Sequence, residues 1–573
     1  MFILVQKLLV LRRCITLLFL IYFCQGFPQK KYPGDYFRSP LDIPHVLSGT
    51  FGELRSNHFH AGVDLKTQRK NGLNVYATAD GYISRIKVAL WGYGKVIYVN
   101  HPNGYTTVYA HLSKFGDGIE EYVKNIQYKK KSYETGNIFP KKGEIPVKKG
   151  QIIAYSGSTG GFVAPHLHYE IRDTKTEHII NPMWFGLDIK DSLAPRITNL
   201  MGYPMNSESR INGNNKKLVL PFKRKGNEYT TNRITAVGKI GFGVTTWDRL
   251  GKALNKNGVY SIEMKVNGKR TYYHDLETFS FAESKLINLL IDYSHFKKYK
   301  NRVQRIYRHP KNSLSIYEDL VNEGYLNVEA GLSYLVEIII KDFKGNTSKL
   351  KIPILGKKSE RIFTSSTDTT EYKIISKEFH KYSKNGVTIA FPKNTFYDNT
   401  YIDFDVKNGI AKVHKPNTPI AKSFTITFDS TTYNSTNIDQ LYIANINNKK
   451  YPSYQNTRKK KDKMYTTSKT LGKYKIFKDT IKPRIYNPNF QEGIWMTNHK
   501  NLTIRISDSQ TGIKSYEAFI DDEWILMEYD LKKKKLTYDF RDKKLVGNKH
   551  IFKLVVSDNV GNTNTYTSTF YRK

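Results

Sequence analysis

The sequence contains very little cysteine: there are two cysteines in 573 residues, Cys14 and Cys24, and both lie within the first 26 positions. The rest of the chain therefore has no disulfide framework and no zinc site built from thiolates. Any metal bound there must be held by imidazole or carboxylate ligands. A chain of this length buries enough apolar surface to fold without disulfides, and it implies several domains.

Long apolar runs are equally scarce. One run, Cys14 to Phe23, follows a basic flank and precedes Gly26, which predicts a secretory signal peptide over residues 1–26. Its apolar core is too short to span a bilayer comfortably, so no transmembrane helix is expected in the mature chain. We expect an exported protein of the periplasm, the cell envelope or the extracellular space. Lipidation of Cys24 is the alternative, and the bulky Phe23 before it disfavours that modification.

Acidic residues are few, 51 against 91 lysines and arginines, which gives a formal net charge of +40. Such a charge suits an anionic polymer or surface as partner, for example peptidoglycan carboxylates or acidic envelope glycans. The lysine clusters are scattered through predicted loops, which favours a general bias for lysine at solvated positions. No helix-turn-helix, RNP or zinc-finger pattern is present, so a nucleic-acid partner is not expected. The clusters lie at Lys129–Lys131, Arg458–Lys461 and Lys532–Lys535.

Two short histidine motifs carry the most information. HFHAGVD at 58–64 places a histidine and an aspartate four positions apart, and APHLHYEI at 164–171 places two histidines two apart. Because residues i and i+2 of a strand share a face, His166 and His168 should face one cavity. Three imidazole or carboxylate ligands with a fourth position left to water form the pattern of a catalytic zinc site. A structural zinc site, the alternative, usually fills all four positions with cysteine or histidine.

These segments resemble the M23 metallopeptidases, the lysostaphin/LytM-type endopeptidases of bacterial cell walls. The family motifs H-x-x-x-D, a middle histidine and H-x-H occur in order, the middle one as VYAHL at 108–112, and the resemblance covers about residues 33–190. It implies an enzyme with Zn²⁺ as cofactor and peptidoglycan peptide stems as substrate. By this resemblance the zinc ligands are His60, Asp64 and His168, and the residues acting on substrate, jointly as base and oxyanion donor, are His111 and His166.

Two features depart from the family pattern. Phe162 and Ala164 stand where the family commonly has a small polar residue and a glycine, so the turn before His166 can differ in shape. Residues 114–145 are an insertion, and their apolar residues recur at helical spacing from Ile119 to Ile126, which predicts a short amphipathic helix. The insertion follows His111 directly, so we expect it beside the active-site groove, where it would influence substrate choice.

Two other histidines are not expected to bind metal. His58 is a lone histidine two positions before His60, and it is predicted to be a surface residue or an outer neighbour of the site. His101 lies beside the Pro102-Asn103-Gly104 turn and is predicted to face solvent. The strand before that turn and the strand after it, Tyr105 to Leu112, are predicted to form a hairpin.

The chain as a whole is predicted to be all-β: an N-terminal LytM/M23-type antiparallel β-sheet domain with a short inserted helix, followed by β-sandwich (Ig-like) domains. An internal repeat supports the sandwiches, since DFKGNT at 342–347 recurs as DNVGNT at 558–563, each after an apolar strand. The predicted domains are the signal peptide (1–26), the peptidase domain (28–190), an Ig-like domain (194–355), a β-rich domain (360–480) and a C-terminal Ig-like domain (481–573).

The sequence therefore predicts a zinc metalloendopeptidase that hydrolyses peptide cross-links of peptidoglycan, with C-terminal β-modules that position it on an envelope polymer or surface. The alternative is a non-catalytic LytM-like module that activates other wall hydrolases, which would fit a chain lacking metal ligands. A third possibility uses the same machinery on proteins or on the wall of another bacterium.

Overall fold

The computed structural model describes residues 32–161, 164–251, 253–358, 369–432, 437–448 and 450–573. The predicted signal peptide, Cys24 and Phe162 lie outside these residues. Strands dominate the described chain and only three α-helices occur in it, which confirms the all-β prediction. None of the helices in the described residues has the length and apolar composition needed to span a membrane.

The N-terminal part is built around an antiparallel sheet with the strand order β1-β2-β11-β6-β5-β4-β8, accompanied by a three-stranded sheet, β3-β10-β7. Its elements are β1 (Leu47–Gly49), β2 (Val63–Lys66), β3 (Asn74–Tyr76), β4 (Gly81–Val88), β5 (Lys95–Asn100), β6 (Tyr105–Leu112), β7 (Lys114–Phe115), α1 (Ile119–Lys130), β8 (Gly136–Ile138), β9 (Pro146–Val147), β10 (Ile152–Tyr155), β11 (His166–Asp173), β12 (Ile179–Ile180) and a 3₁₀ turn (Pro182–Phe185). The predicted hairpin is confirmed as β5 and β6. Central strands β5, β6 and β11 are almost entirely buried.

Helix α1 confirms the helix predicted in the insertion. It buries Ile119 and Val123 on one face, and its first turn is acidic while its last turn is basic, which suits the helix dipole. The helix ends at Lys130, and the left-handed backbone of the following Lys131 closes the last turn. On its outer side the Tyr128 ring meets the Trp524 ring edge-on at 5.5 Å, so the insertion contacts the C-terminal part of the chain.

The next part is a 13-stranded sheet with its own hydrophobic cluster, called the first sandwich below, and it also completes the N-terminal sheet. Strand β21 pairs with β12, and Phe279 of β21 packs its ring 4.8 Å from Phe51 and 5.1 Å from Phe59. The segment around β21 therefore belongs to the N-terminal core. The elements are β13 (Arg196–Pro204), β14 (Arg210–Ile211), β15 (Leu218–Val219), β16 (Phe222–Lys225), β17 (Glu228–Thr231), β18 (Ile234–Trp247), β19 (Ser261–Val266), β20 (Lys269–Asp275), β21 (Thr278–Phe279), a 3₁₀ turn (Ser284–Leu286), α2 (Ile287–Leu290), α3 (Tyr293–Tyr299), β22 (Gln304–Arg305), β23 (Tyr317–Glu318), a 3₁₀ turn (Asn322–Gly324), β24 (Leu326–Val328), β25 (Ser333–Lys341) and β26 (Thr347–Gly356).

The third part contains two five-stranded sheets, β28-β29-β33-β37-β36 and β31-β32-β38-β34-β35. They enclose their own hydrophobic cluster, with Ile389, Phe424 and Ile443 fully buried in it. The elements are β27 (Tyr372–Ile374), β28 (His380–Lys384), β29 (Val387–Phe391), β30 (Thr400–Ile402), β31 (Phe404–Lys407), β32 (Ile410–Val413), β33 (Phe424–Asp429), 3₁₀ turns (Ser430–Thr432 and Ile438–Gln440), β34 (Leu441–Asn445), β35 (Ser453–Tyr454), β36 (Arg458–Lys460), β37 (Lys463–Ser468) and β38 (Gly472–Lys478).

The last part packs a four-stranded sheet, β39-β41-β45-β44, on a five-stranded sheet, β40-β47-β46-β42-β43. Every second residue of the long strand β46 is buried, which is the period-2 pattern of a strand with one face on a core. The strands are β39 (Arg484–Tyr486), β40 (Ile494–Trp495), β41 (Asn501–Ser507), β42 (Ile513–Ile520), β43 (Glu523–Trp524), β44 (Glu528–Asp530), β45 (Lys535–Asp539), β46 (Lys549–Asp558) and β47 (Thr563–Tyr571). The domain boundaries predicted above remain a proposal.

We predict that Gly62→Ala destabilises the N-terminal sheet. A Cβ atom at Gly62 would lie 2.3 Å from the backbone oxygen of Tyr169, so β2 would have to move away from β11. Overpacking of this kind costs about 1–3 kcal/mol. Urea denaturation followed by near-UV circular dichroism measures the loss. The control is Gly34→Ala, because a Cβ there meets no atom within 4 Å. Equal stability of the two variants would contradict the prediction.

Candidate metal centre

The pairing of β2 with β11 places Asp64 directly opposite His168. His60 lies just before β2, and its ring also contacts the Asp64 carboxylate. The Asp64 Oδ1 atom is 3.0 Å from His60 Nε2 and 2.9 Å from His168 Nδ1, and the two nitrogens are 3.1 Å apart. All three side chains are buried. Three ligand atoms thus form a triangle with sides of about 3 Å, a spacing suited to neighbouring ligands on one ion with bonds of about 2.0–2.2 Å.

The hydrogen bonds around the triangle fix which ring nitrogens carry lone pairs. His60 Nδ1 is 2.7 Å from the backbone oxygen of Thr50, and His168 Nε2 is 2.8 Å from a carboxylate oxygen of Glu170. Because these oxygens only accept, each ring donates an N–H to them. The neutral rings then direct the lone pairs of His60 Nε2 and His168 Nδ1 toward Asp64. Metal-binding histidines are commonly oriented in this way by an outer acceptor.

The electrostatics of the cluster favour positive charge at its centre. Burial alone would raise the pKa of Asp64, but the neighbouring His60 and His168 rings outweigh it and lower that pKa well below its usual range. Burial opposes a charge on His168, yet its hydrogen bonds to Asp64 and Glu170 raise its pKa to about 9. A cation, either a proton or a metal ion, is therefore stabilised here. Two imidazole nitrogens and one carboxylate oxygen fit Zn²⁺ with one coordination position left open.

His111 reaches this site through an irregularity in strand β6. Ala110 pairs with His168, so regular alternation would turn His111 to the opposite face. A bulge between β5 and β6 and a left-handed backbone at His111, with φ of 61°, redirect the side chain. Its ring centroid lies 4.8 Å from that of His166 and 5.7 Å from that of His168. The His111 Nδ1 atom donates to the backbone oxygen of Thr159 at 2.9 Å.

His166 shares the site face with His168, as strand alternation predicts. Its Nε2 atom is 3.6 Å from Asp64 Oδ1, and its Nδ1 atom donates to the backbone oxygen of Ala164 at 3.0 Å. Burial lowers the pKa of both His166 and His111, and for His111 the nearby His168 and His166 rings lower it further. The structure thus brings all five predicted site residues into one cluster.

Sequence reasoning missed a chain of charges behind His168. Glu170 is fully buried, accepts from His168, and is 2.7 Å from Nε of Arg172; the hydroxyl of Tyr93 also donates to it. Burial by itself would raise the pKa of Glu170, but the Arg172 guanidinium and the His168 hydrogen bond lower it to about 2. The run His168-Tyr169-Glu170-Ile171-Arg172 contained the signal, since alternate residues of a strand share a face.

The predictions for the two histidines outside the site have different outcomes. His58 is exposed, as predicted. The prediction for His101 is wrong: it is only 6% exposed, its Nδ1 is 2.8 Å from the backbone oxygen of Asp80 and its Nε2 is 2.8 Å from the hydroxyl of Thr107. Burial lowers the pKa of His101 to about 4, so it is a neutral core residue. Pro102 and Gly104 of the turn that follows it are exposed, but the His101 ring points inward to polar partners.

The C-terminal part of the chain contacts the loop that holds His111. Lys532 Nζ donates to the backbone oxygen of Ser158 at 2.8 Å, one residue from the Thr159 carbonyl that orients His111. The buried Lys95 Nζ pairs with Glu528 at 2.7 Å and donates to the backbone oxygen of Ser113. The last sandwich therefore contacts the loop that orients His111 and, through Lys95, the backbone just after His111. A cavity of about 600 Å³ between the insertion and this sandwich is lined by Trp91, Tyr133 and Trp524, among others.

Family models match two separate segments of the chain. Residues 58–128 match peptidase family M23, and residues 371–479 match the Zu5-like domain. The M23 match covers the first two metal-ligand positions and His111. The resemblance of the N-terminal part to the M23 peptidases is therefore confirmed. The Zu5-like match lies within the β-rich unit that the sequence predicted at 360–480 without a family.

Curated relatives align with the same N-terminal region. The DD-carboxypeptidase/endopeptidase Mpg of Neisseria meningitidis serogroup B is 35% identical over 119 residues, 21% of this chain and 21% of that protein. The peptidoglycan DD-endopeptidase ShyA of Vibrio cholerae is 33% identical over 140 residues, 23% of this chain and 26% of that protein. The chain thus spans about a fifth of the length of the first relatives that it matches.

Solved structures of similar proteins include two peptidases. A zinc-containing peptidase from Vibrio cholerae is 27% identical with a TM-score of 0.19, and the match covers 26% of this chain and 39% of that one. The catalytic domain of lysostaphin from Staphylococcus simulans is 25% identical with a TM-score of 0.19, and the match covers 25% of this chain and 93% of that one.

We predict that the purified protein binds one zinc ion at this centre and that His168→Ala abolishes the binding. The substitution removes one of three ligand atoms and leaves Glu170 facing a space without its imidazole partner. Elemental analysis after dialysis measures the zinc content. His58→Ala is the matched control, because this nearby histidine is exposed and outside the triangle. Full zinc content in the His168 variant would refute the assignment.

We also predict that Glu170→Gln weakens zinc binding about 10- to 100-fold, the usual effect of losing an outer partner of a metal ligand. The amide no longer carries the charge that holds His168 and Arg172 in place. Competition with a fluorescent zinc chelator gives the affinity. Glu177→Gln is the control, because its carboxylate is exposed and pairs with Arg85 and the outer end of Arg172, not with His168. An unchanged zinc affinity in the Glu170 variant would show that the carboxylate does not support the site.

Proposed function

We propose that this chain is an exported zinc metalloendopeptidase that hydrolyses peptide cross-links of peptidoglycan. The observation that carries the proposal is the triangle of His60 Nε2, Asp64 Oδ1 and His168 Nδ1 with two further imidazole rings beside it. A structural metal site would have no use for these extra rings. Amide hydrolysis requires groups that move a proton and stabilise an oxyanion next to the metal, and the rings of His111 and His166 provide them.

The arrangement divides the chemistry between the metal and the two rings. When bound, a zinc ion supplies Lewis-acid polarisation and lowers the pKa of a water molecule. Because the Nδ1 atoms of His111 and His166 donate to backbone carbonyls, the lone pair of each neutral ring is on Nε2. Their lowered pKa values keep both rings neutral near pH 7, so either can accept the proton of the attacking water. The protonated ring can then donate to the developing oxyanion. We assign these two roles to the pair jointly.

The substrate class follows from the relatives and from charge. Mpg is named a DD-carboxypeptidase/endopeptidase, and the Vibrio enzyme ShyA is named a peptidoglycan DD-endopeptidase. Peptidoglycan stems carry carboxylates, which suit a chain with a net charge of +40. We propose that the β-modules position the catalytic domain on the envelope. The last sandwich places Lys532, Lys533 and Lys535 close to the loop that orients His111. These lysines line a cavity together with Thr159 and Gly160 of that loop.

The alternative is a non-catalytic module that activates other wall hydrolases. Such a module has no need for metal ligands or for proton-transfer groups, and their loss would be expected. In this chain all three ligands and both further histidines are present and buried in one cluster. The intact site therefore favours the enzyme.

Digestion of purified peptidoglycan sacculi tests the proposal. We expect the zinc-loaded protein to release cross-link cleavage products, a chelator to stop the release, and added Zn²⁺ to restore it. His111→Ala and His166→Ala should each retain zinc but lose activity about 10²- to 10⁴-fold, the usual contribution of general acid–base groups. Mass analysis of the released muropeptides identifies the bond that is cut.

His58→Ala again provides the control and should digest sacculi like the wild type, because its side chain is exposed. Zinc-loaded wild-type protein that releases no product would contradict the peptidase and favour the activator. That outcome would be followed by adding the protein to a separate wall hydrolase. Full activity in both the His111 and His166 variants would contradict the roles assigned to the two rings.

A further inference from the structure

Two clusters of three aspartates occupy equivalent places in the first and last sandwiches. In each cluster, one carboxylate oxygen from every member lies within 4.8 Å of the others. The members of the first aspartate cluster are Asp191, Asp248 and Asp342, and those of the second aspartate cluster are Asp479, Asp508 and Asp558. Neither cluster shares a residue with the metal centre described above, and neither is explained by the peptidase chemistry.

The two clusters repeat the same positions in the chain. The first member lies four residues before a proline that begins the sandwich, Pro195 in one module and Pro483 in the other. The second member directly follows a strand, β18 in one module and β41 in the other. The third member begins the motif Asp-x-x-Gly-Asn-Thr at the end of strands β25 and β46. The internal repeat of the sequence therefore preserves the three carboxylates.

The hydrogen bonds of the clusters are also repeated. Asn346 donates from its backbone to Asp342 Oδ1 and from its side chain to Asp342 Oδ2, and Asn562 does the same to Asp558. These asparagines fix the orientation of the third carboxylate in both modules. Each first aspartate accepts from the backbone two residues later at 3.0 Å, through Leu193 in one module and Ile481 in the other.

The first cluster contains a buried carboxylate oxygen without a hydrogen-bond partner. Asp248 is only 1% exposed, and its Oδ1 atom has no hydrogen-bond partner among the described residues. It lines a cavity of about 30 Å³ together with Asp191 and Asp342. Burying a carboxylate without a partner is expensive, so a ligand that satisfies it is expected in this cavity. In the second cluster the equivalent atom, Asp508 Oδ1, likewise has no partner in the described chain.

The basic residues of the chain do not neutralise these carboxylates. The sequence has 91 lysines and arginines against 51 acidic residues, yet among the described residues none of the six aspartates has a lysine, arginine or histidine nitrogen within 4.0 Å. Burial and the charges of Asp191 and Asp342 raise the pKa of Asp248 to about 8. In a lysine-rich protein, two unneutralised clusters at repeated positions indicate that their counter-charge comes from outside the chain.

We propose that each aspartate cluster binds a divalent cation of the calcium type. Three carboxylates supply only oxygen ligands, which are preferred by hard cations such as Ca²⁺. The ligands come from three separate strand ends or loops, and such a spread suits the flexible coordination of Ca²⁺ better than the strict octahedron of Mg²⁺. The cation supplies the missing counter-charge and satisfies the oxygen of Asp248.

Both sites lie where one part of the chain meets another. The first cavity is lined not only by the sandwich but also by Thr50, Phe51 and Asn181 of the N-terminal part. The second cluster takes Asp479 from the end of the Zu5-like region, and Asn562 of the last sandwich donates to the Asp479 backbone oxygen at 3.0 Å. A cation at each junction would fix the orientation of the adjoining parts.

Calcium titration of the full-length, zinc-loaded protein tests the proposal. After removal of calcium on a chelating resin and reloading with zinc, isothermal titration calorimetry should show two equivalents of Ca²⁺ bound. The melting temperature should rise with Ca²⁺ concentration, because a ligand that binds only the folded state stabilises it. Asp248→Asn and Asp508→Asn should each lose one equivalent, and the double variant should bind none. Asp522→Asn, an exposed aspartate of the last sandwich, is the control and should bind two.

A second readout separates a cation site from a merely structural aspartate. Because Asp248 has no basic partner and its Oδ1 atom has no hydrogen-bond partner among the described residues, replacing it by the neutral asparagine removes no ion pair. The calcium-free Asp248→Asn variant should therefore melt no lower than the calcium-free wild type. A lower melting temperature of that variant without calcium would overturn the assignment of the first cluster. Absence of binding at millimolar Ca²⁺, or undiminished binding in the double variant, would overturn the proposal. Equally tight binding of Mg²⁺ would overturn the choice of calcium.

Discussion

The antiparallel pairing of β2 with β11 is the constraint on which the candidate metal centre depends. It sets Asp64 opposite His168, and a slip of β2 by one residue would turn Asp64 to the face of the sheet away from His168. The close approach of the two strands at Gly62 keeps that register, since a side chain there would meet the Tyr169 backbone. The sheet thus fixes the positions of Asp64 and His168. The rings of His60, His111 and His166 pack against these two side chains.

The polar side chains behind the metal centre hold one another, and the ligand His168, through hydrogen bonds. His168 is held by Glu170, and Glu170 by Arg172 and Tyr93. The first three are buried in strand β11, and Tyr93 is half-buried just before β5. A buried ion pair of this kind contributes little net stability on its own, because desolvation offsets the attraction. Its contribution here is orientation: it fixes the tautomer of His168, and through it the direction of a lone pair.

Much of the site could be predicted from the sequence, because it follows from the period of a strand. The shared face of His166 and His168, the hairpin that ends near His111 and the helix of the insertion are local patterns, and all three appear in the structure. Three features depend on distant contacts and had no local signal. They are the bulge that redirects His111, the inward turn of His101 to Asp80 and Thr107, and the addition of β21 to the N-terminal sheet.

The ion pair between Lys95 and Glu528 joins residues that are 433 positions apart in the chain. Lys95 is only 3% exposed, and its pKa stays above the ordinary lysine value only because Glu528 and other carboxylates outweigh the burial penalty. During synthesis the N-terminal sheet emerges first, and it must wait for the last sandwich before this ammonium gains its partner. The loop that orients His111 likewise gains its contact with Lys532 only after the last sandwich has been made.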